Sequence, residues 1–497
     1  MQPLKKLAGQ TLIYGMGTMI PRLLNYVILT PYFTRDIFKG AIGEYGKLTE
    51  LYAYVTFLLI VLTYGMETAY FRYITVSDNK KSIYSTILAS VFSTSLVFII
   101  LVFVNVTSIA GLLEYGGEIG FIKIVAIIVA IEAFTAIPFA KLRAEEKALK
   151  FAILKGINVL VNIVLIAFFY NVLPAMGFGD FVKNDAGYVS VKYVLLANLI
   201  TSAIVLIILI PELRAFSIRA CNLKIWKSLL KFGWPLLIAG LAGTINETLD
   251  RSLLKHLITD KSRALYDLGI YGANYKIAAL IMLFIQMYRF ALEPFFFSYA
   301  SQKDSKIQYV RLMNLFVGIT VGMGVFVLIF LDYIKYFIGT NYHEGLTIVP
   351  YIIVAYVLSG IYYNQSVWYK LTDKTYYAAI IALAGAVVTV FINVYFAPRY
   401  SYHASAVAHV LSYGLMVIIS YFLSIHYYPI RYNFLRIAAY FLLGGFLVII
   451  NRVVSIDQII IKICFKTILV SIFLIFVLWK EDLLKQIFKR KHESITG

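Results

Sequence analysis

The sequence predicts an all-α polytopic membrane protein, and three observations support this fold class. Hydrophobic residues occupy 61% of the 497 positions and charged residues only 14%, whereas a soluble globular protein is about half apolar and a quarter charged. Apolar runs of about 20 residues, the length that a helix needs to cross a bilayer, recur along the whole chain. The third observation is an internal duplication, which indicates two helical lobes of the same design and favours a transporter.

The apolar runs predict 14 transmembrane helices in the order six, six and two. The first six spans lie near residues 9–32, 48–71, 84–108, 121–141, 151–173 and 191–211. The second six lie near residues 229–256, 268–298, 308–331, 346–369, 376–397 and 404–425. Two further spans lie near residues 433–450 and 459–479.

The two sets of six helices repeat each other in sequence. One offset of 226 residues matches a Tyr-Gly pair, a glutamate and a phenylalanine in each half: Tyr45, Gly46, Glu67 and Phe71 coincide with Tyr271, Gly272, Glu293 and Phe297. An offset of 227 places Arg143 on Lys370. This register predicts duplicated halves at 1–211 and about 225–425. Because each half has an even number of helices, a pseudo-two-fold axis along the membrane normal would relate them.

An even number of helices places both termini on one side of the membrane. With the termini in the cytoplasm, the cytoplasmic segments hold 27 Lys and Arg residues and the opposite segments 14, as the positive-inside rule expects. We predict four parts: an N-lobe at 1–211, a cytoplasmic linker at 212–228, a C-lobe at 229–427, and helices 13 and 14 with a basic tail at 428–497.

The linker carries its own pattern. The spacing of Ile225, Trp226, Leu229 and Leu230, among several basic residues, predicts a short amphipathic helix. Such a helix would lie on the cytoplasmic leaflet, where basic side chains meet anionic lipids.

Several classes of function are disfavoured by the composition and the motifs. The net charge of +19 is spread over short loops between apolar spans, which argues against nucleic acid as a partner. Cys221 and Cys464 lie far apart and have no metal-binding or redox spacing. The sequence contains no nucleotide phosphate-binding loop and no His-Glu-x-x-His motif. We therefore expect a transporter without a cofactor or a metal, rather than an enzyme.

Ionisable side chains inside the predicted spans are the candidate functional residues, because each costs at least about 2.5–3.5 kcal/mol at bilayer depth. Arg22 lies near the middle of helix 1, directly after Pro21, which can kink the helix, and three residues before Asn25. We predict that Arg22 and Asn25 bind an anionic substrate in a central cavity. The alternative is an arginine that pairs with a neighbouring carboxylate for packing.

Three further basic residues, in helices 7 and 8, are predicted to bind the same substrate. Lys276 and Arg289 lie thirteen residues apart, which corresponds to about 20 Å along a helix and about 140° around it. Arg289 has Glu293 at i+4, so Lys276 is the stronger candidate of the two. Arg251 has Glu247 at i−4, and both substrate binding and charge neutralisation remain open for it.

Four acidic residues are predicted to act in gating or in ion coupling: Glu67, Glu293, Asp250 and Glu132. The first two occupy equivalent positions near the cytoplasmic ends of helices 2 and 8. They would form an inner gate with Arg72 or Arg289, or simply lie in water at a helix end. The other two, together with Glu50, are the acidic groups that coupling to a cation would need.

Several short motifs resemble those of polysaccharide biosynthesis flippases of the Wzx type. They are Leu12-Ile-Tyr-Gly15 with Pro21-Arg22, Glu44-Tyr45-Gly46, Thr63-Tyr-Gly65-Met-Glu67-Thr-Ala69 with Phe71-Arg72, and Pro138-Phe139 with Leu142-Arg143-Ala-Glu145 and Ala148. That family is the polysaccharide-transporter branch of the multidrug/oligosaccharidyl-lipid/polysaccharide exporter superfamily. The resemblance covers essentially the whole chain and includes the fourteen helices in paired six-helix lobes.

The resemblance implies a flippase in the bacterial cytoplasmic membrane. Its substrate would be an undecaprenyl-diphosphate-linked oligosaccharide, moved from the inner to the outer leaflet by alternating access for surface polysaccharide assembly. Membrane lipids, a polysaccharide polymerase and glycosyltransferases are the implied partners. Two other interpretations are a cation-coupled multidrug exporter and a lipid II-type flippase of the same superfamily. A membrane scaffold without transport activity is disfavoured by the charges inside the spans.

Overall fold

The computed structural model describes residues 17, 19–76, 79–185, 187–300, 302, 304–372 and 374–481, without the side chains of residues 76, 290, 291, 293–295 and 297–299. These residues form helices, and the one extended pairing among them is a bridge between Lys183 and Val189. The predicted all-α class is confirmed. The chain divides into two compact units, Met1–Gly272 and Ala273–Gly497. The duplication of residues 1–211 in the second half stays a prediction.

The first unit contains the helices up to the beginning of α11. Helix α1 covers residues 19–31 and continues into a π-helical turn, Tyr32–Ile37. The helices that follow are α2 (Ile42–Thr63), α3 (Met66–Val76), α4 (Lys80–Val104), α5 (Val106–Leu112), α6 (Ile119–Ala144), α7 (Ala148–Ala167), α8 (Lys192–Ile208), α9 (Ile210–Leu213) and α10 (Leu223–Leu257).

Helix α11 (Lys261–Tyr299) begins in the first unit and continues into the second. The second unit then contains α12 (Ser305–Ile329), α13 (Leu331–Ile334), α14 (Val349–Gln365), α15 (Val367–Leu371), α16 (Tyr376–Tyr400), α17 (Tyr402–Tyr427), α18 (Phe434–Val453) and α19 (Ile459–Lys480).

Twelve spans among the described residues are long and apolar enough to cross a membrane. They include α18 and α19, at the positions predicted for helices 13 and 14. Helix α8 is apolar but has only 17 residues, and the predicted first span, 9–32, lies partly outside the described residues. The total of 14 therefore stays a prediction.

The predicted linker helix is not a separate element. Leu223–Leu257 is one continuous helix of 35 residues, and the side chain of Asn222 caps it by accepting from the backbone N–H of Lys224 at 2.8 Å. The segment before it is fastened to α4, because Ser82 Oγ donates to the Ala220 carbonyl at 2.7 Å. The prediction of a short surface helix was wrong because nothing interrupts the helix between the amphipathic start and the apolar remainder.

Two glycines allow helices of the first unit to approach closely. Tyr64 and Gly65, with left-handed φ angles of 33° and 75°, separate α2 from α3 within one span. A Cβ on Gly65 would lie 2.9 Å from the Gly233 carbonyl oxygen of α10. A Cβ on Gly46 would overlap the carbonyl oxygen of Leu265 in α11. Small residues at such contacts are typical of membrane helix packing.

A buried carboxylate ties together α4, α6 and α7 near the start of the linker. Glu212 is 4% exposed and forms ion pairs with Lys141 at 3.0 Å and with Lys150 at 2.6 Å. Tyr84 Oη also donates to the Glu212 carbonyl at 3.1 Å. Glu212 therefore joins the start of α4, the end of α6 and the start of α7.

Candidate functional site

Helix α1 presents Arg22 and Asn25 at exposed positions. It contacts α7 just before these residues, where a Cβ on Gly17 would lie 2.7 Å from the Cβ of Ala152. The guanidinium of Arg22 interacts electrostatically with Lys155 of α7. The structure thus places Arg22 beside α7.

Lys155 on α7 is the centre of a mixed charge cluster that the sequence interpretation missed. Its ammonium group interacts electrostatically with two carboxylates, Glu132 and Glu67, and with two guanidinium groups, Arg22 and Arg143. Lys155 lies seven residues after the first residue of α7, about 10 Å along the helix. Such a position near a helix end is easily assigned to a loop, although the side chain belongs to the membrane segment. We call these five residues the N-unit charge cluster.

Aromatic rings cover one side of Lys155. Its Nζ lies 4.1 Å from the centre of the Phe139 ring and 6.0 Å from that of Phe151. A cation over an aromatic face is stabilised by about 0.5–2 kcal/mol, more when water is excluded. The two rings therefore add favourable cation–π contacts to the ammonium group of Lys155.

Glu67 pairs with a different arginine from the two that the sequence suggested. Arg143 NH1 lies 2.7 Å from Glu67 Oε1, and the Arg143 guanidinium also lies 4.8 Å from the centre of the Phe71 ring. Arg72 instead lies 4.5 Å from the ring of Phe232 on α10. In this structure Glu67 therefore pairs with Arg143, and an inner gate of Glu67 with Arg72 or Arg289 stays a prediction. The pair unites two segments that resemble the flippase motifs.

Glu132 lies at the edge of a polar track between α2, α6, α7 and α8. Ser202 Oγ donates to Glu132 Oε1 at 3.5 Å. Asn162 Nδ2 donates to Asn198 Oδ1 at 2.8 Å, and Asn198 Nδ2 donates to Tyr52 Oη. Polar side chains from four helices thus line one side of the unit next to the N-unit charge cluster, and they suit hydrogen bonding to a hydroxyl-rich substrate.

Helix α10 places Asp250 and Arg251 against the duplicated tyrosines. Asp250 is 1% exposed and accepts a hydrogen bond from Tyr271 Oη. Arg251 interacts electrostatically with Tyr45, and its NH2 donates to the Glu247 carbonyl at 3.3 Å. The observed bond of Arg251 to Glu247 goes to the backbone of that residue. This site is buried and well connected, which suits a structural or gating role better than contact with a large substrate.

Glu50 forms a second buried cluster, and it lies at the other end from Glu67 of the span that α2 and α3 form together. It is 0% exposed and accepts from Tyr54 Oη at 2.9 Å and from Tyr115 Oη at 2.6 Å. Lys255 Nζ and His256 Nε2 of α10 lie 3.5 Å and 3.6 Å from its carboxylate oxygens. Neighbouring side chains thus contact both carboxylate oxygens of Glu50, so Glu50 links α10 to α2.

In the second unit, Arg289 stacks on an aromatic ring of α14. Its guanidinium lies 3.4 Å from the centre of the Tyr363 ring, and Lys370 Nζ lies 5.4 Å from the same centre. Lys276 is half-buried and also takes part in interactions with its surroundings. The Glu293 side chain lies outside the described part, so its predicted pairing with Arg289 stays a prediction. Tyr363 therefore has two cations on or near its ring.

No group of three or more His, Cys, Asp or Glu residues that could hold a metal ion occurs within the part of the chain that the structure describes. The N-unit charge cluster itself presents ammonium, guanidinium and carboxylate groups, with the amides of Asn162 and Asn198 close to it. Such groups bind and orient a charged or hydroxylated molecule.

Known proteins of similar fold are membrane transporters. The lipid II flippase MurJ in an inward closed conformation superimposes with a TM-score of 0.71 at 14% identity, over 95% of this chain and 100% of MurJ. An inward-facing multidrug resistance MATE family transporter of the MOP superfamily gives 0.61 at 14% identity, over 86% and 95% of the two chains. A MOP superfamily transporter from Pyrococcus furiosus gives 0.54 at 13% identity, over 88% and 96%. These likenesses establish the fold.

Sequence comparison establishes the family. The Lsg locus putative protein 1 of Haemophilus influenzae is 21% identical over 420 residues, which are 79% of this chain and 94% of that protein. The profile of the family described as "Polysaccharide biosynthesis protein" matches residues 7–300, more than half of the chain and most of the flippase-like motifs. The chain therefore belongs to the polysaccharide biosynthesis protein family, with the fold of the MATE and MurJ transporters.

Proposed function

We propose that this protein is a flippase that moves an undecaprenyl-diphosphate-linked oligosaccharide from the inner to the outer leaflet of the bacterial cytoplasmic membrane. Membership of the polysaccharide biosynthesis family and a fold shared with MurJ and MATE proteins support a membrane transporter. The family description names the process, and the charges of the first unit support the class of substrate.

The observation that carries the proposal is the composition of the N-unit charge cluster. Three of its five members, Arg22, Arg143 and Lys155, are cations, and two, Glu67 and Glu132, are anions. A net positive charge inside a membrane protein is costly unless something anionic offsets it during function. A diphosphate carries that charge, and guanidinium groups bind phosphate oxygens through two parallel hydrogen bonds.

The remainder of the substrate has matching surroundings. The amide and hydroxyl groups of Asn162, Asn198, Tyr52 and Ser202 lie beside the cluster, and they can hydrogen-bond to sugar hydroxyls. The lipid tail would stay in the bilayer. Alternating access of the two predicted lobes would then expose the headgroup first to the cytoplasm and then to the opposite side.

The glycan would reach the flippase from glycosyltransferases on the cytoplasmic side and leave it for a polysaccharide polymerase on the outer side. We propose these enzymes as functional partners, with both termini of the flippase in the cytoplasm. Genes for glycosyltransferases and a polymerase beside this one would support the assignment.

The test is an export assay in a strain that lacks its own copy of the gene. Arg22→Ala should abolish surface polysaccharide while the protein stays in the membrane, and Arg22→Lys should retain part of the export because the charge is kept. Lys155→Met should also reduce export strongly. Arg311→Ala, at an exposed position in α12 of the second unit, is the matched control and should export normally.

Full export by Arg22→Ala and Lys155→Met, at wild-type protein level, would refute the anion site. Loss of export in all variants, including Arg311→Ala, would show a general effect of removing basic residues and would refute the assignment to these positions. Accumulation of lipid-linked oligosaccharide in the inner leaflet of the Arg22→Ala strain would identify the blocked step as translocation.

A further inference from the structure

A polar recess of about 430 Å³ opens between two loops of the first unit, away from the N-unit charge cluster. Its walls are the first turn of α6 with the glycines before it, and the hairpin-like loop that leads into α8. Its lining includes Gly117, Glu118, Gly120, Lys183, Asp185 and Lys192. The recess lies at the opposite end of α6 from Arg143. Since α6 has 26 residues, the two ends are about 39 Å apart.

A buried ion network holds the two loops in place. Glu44, 6% exposed, accepts from the backbone N–H of Val191 at 3.0 Å and from Asn184 Nδ2 at 3.2 Å. Lys47 bridges Glu44 at 2.7 Å and Glu118 at 2.8 Å. Both walls are thus anchored to the start of α2 through charge-assisted hydrogen bonds. Because the walls are fixed, the loops lose less conformational entropy on ligand binding than two loose loops would lose.

The recess presents amino groups that are not neutralised by buried partners. Lys192 is exposed and forms no ion pair within the described ranges; its Nζ lies 6.0 Å from the Tyr193 ring. Among the residues that the structure describes, the ion-pair partner of Lys183 is Asp180, whose side chain is 97% exposed. Such a surface pair contributes at most about 1 kcal/mol. Both ammonium groups are therefore available to a carboxylate on a ligand.

The other lining groups suit hydroxyls. The exposed carboxylate of Asp185 can accept hydrogen bonds, and neither Gly117 nor Gly120 has a neighbouring atom that a Cβ would meet. The backbone at these glycines is therefore accessible to a ligand. A volume of about 430 Å³ is at the small end of ligand pockets, and it suits one or two sugar rings.

We propose that this recess binds an acidic saccharide of the uronic acid class on the outer side of the membrane, as a subsite for the glycan that has crossed. The proposal rests on the proposed flippase function and on the predicted topology, which places this end of α2 outside. Lys192 and Lys183 would bind the sugar carboxylate, Asp185 would accept from its hydroxyls, and the recess would hold the headgroup near the exit before the polymerase takes it.

The test uses the full chain in lipid nanodiscs and a hyaluronan tetrasaccharide, which carries two glucuronate residues, as the probe in isothermal titration calorimetry. We expect saturable binding to the wild type and at least a tenfold weaker affinity for Lys192→Gln. Lys123→Gln is the matched control, because Lys123 lies on the same end of α6 over the Phe103 ring, with 5.6 Å between Nζ and the ring centre, and does not line the recess. Its affinity should stay within twofold of the wild type.

Two further probes separate a saccharide from a simple anion. Neutral maltotetraose should bind at least tenfold more weakly than the acidic probe, and inorganic phosphate should not compete at equal concentration. Undetectable binding of the acidic probe, equal binding of maltotetraose, or equal competition by phosphate would each overturn the proposal. Unchanged affinity in Lys192→Gln would overturn it as well.

The same titration in Arg22→Ala distinguishes this proposal from the proposed function. Binding that persists in Arg22→Ala takes place without the N-unit charge cluster and supports the recess as its site. Binding lost in that variant would move the site to the cluster and overturn the recess. Normal export by Arg22→Ala would refute the flippase site in the cell while leaving the binding result intact.

Discussion

The buried ion pair between Glu50 and Lys255 allows a quantitative prediction about the contact of α10 with α2. Both side chains are almost fully buried, with exposures of 0% and 3%, and their charged groups lie 3.5 Å apart. Removal of one member of such a pair leaves an uncompensated buried charge and lowers the free energy of unfolding by about 3–5 kcal/mol. Replacement of both members by apolar residues often leaves the stability unchanged or raises it. The double variant should therefore be much less destabilised than the sum of the two single variants.

The neighbours of each residue set the size of the two single effects. In Glu50→Leu, Lys255 keeps a hydrogen bond to the Leu113 carbonyl at 2.6 Å, so we expect the lower end of the range, about 3 kcal/mol. Lys255→Met leaves Glu50 with the hydroxyls of Tyr54 and Tyr115 and with His256 Nε2 at 3.6 Å, and we expect a similar loss. In the double variant the Tyr115 hydroxyl loses its acceptor, whereas Tyr54 Oη keeps the Ser252 carbonyl at 3.4 Å and His256 Nε2 at 3.3 Å. No charge is left unpaired, so we expect a loss of about 2 kcal/mol at most.

The measurement is unfolding in mixed detergent micelles, analysed as a double-mutant cycle. The control cycle uses Lys183 and Asp180, a separate exposed pair at 2.9 Å with side chains 46% and 97% exposed, which should show a coupling of at most about 1 kcal/mol. Additive effects of Glu50→Leu and Lys255→Met would refute the reasoning, because additivity means that the two charges do not interact. A coupling as small as that of the control pair would have the same meaning.

Three further predictions concern packing, pH and a buried amide. Gly46→Ala should strongly reduce folded protein on size-exclusion chromatography because its Cβ would overlap the Leu265 carbonyl oxygen, whereas Gly414→Ala, which meets nothing within 4 Å, should be tolerated. Burial alone would raise the pKa of Glu212, but hydrogen bonds from two lysines hold this pKa below its ordinary value of 4.5. The stability that the carboxylate adds is therefore present above pH 4.5 and is lost as the pH falls through the lowered pKa. The difference in thermal stability between the wild type and Glu212→Gln should shrink over the same pH range. Gln365 is 0% exposed, and neither amide atom of its side chain has a hydrogen-bond partner among the described residues. Gln365→Leu should therefore raise the free energy of unfolding by about 1–3 kcal/mol. A free energy of unfolding below that of the wild type would show that the amide is paired.

Hydropathy predicted the helices well because the bilayer dictates their length and composition. The span predicted from the least distinct run, 433–450, is helix α18, Phe434–Val453. The linker shows where this reasoning ends: an amphipathic pattern tells which face is apolar, but it does not tell whether the helix stops before the next apolar segment. The sequence even favours an interruption there, because Gly233 and Pro235 lie between the amphipathic start and most of the apolar part, yet α10 continues through both residues.

The candidate site was less predictable because its contacts join residues that are distant in sequence. Glu67 and Arg143 are 76 residues apart, so no i,i+4 rule could pair them, although the flippase-like motifs contain both. Lys155 was missed for a different reason, because a lysine within two turns of a helix start reads as part of the loop. The pairing of Asp250 with Tyr271 could have been suspected from the duplicated tyrosine, which has no other reason to be polar inside a membrane.

Glu132 decides between a flippase with an anionic substrate and a cation-coupled exporter. It lies in the N-unit charge cluster beside Lys155, so its carboxylate would repel a bound diphosphate and attract a coupling cation. Two unit charges about 8 Å apart interact by about 2 kcal/mol at an effective dielectric constant of 20, which corresponds to more than tenfold in affinity.

Replacement of Glu132 by glutamine keeps the shape of the side chain and removes its charge. If the cluster binds diphosphate, Glu132→Gln should retain export and should raise the affinity of the purified protein for inorganic pyrophosphate about tenfold, while Glu132→Asp, the charge-conserving control, leaves that affinity near the wild-type value. If a cation must bind there, Glu132→Gln should abolish transport and Glu132→Asp should keep part of it. Loss of export in Glu132→Gln with no gain in pyrophosphate affinity would overturn the anion-binding interpretation. The carboxylate would then be required for transport, although its charge should weaken the binding of a diphosphate.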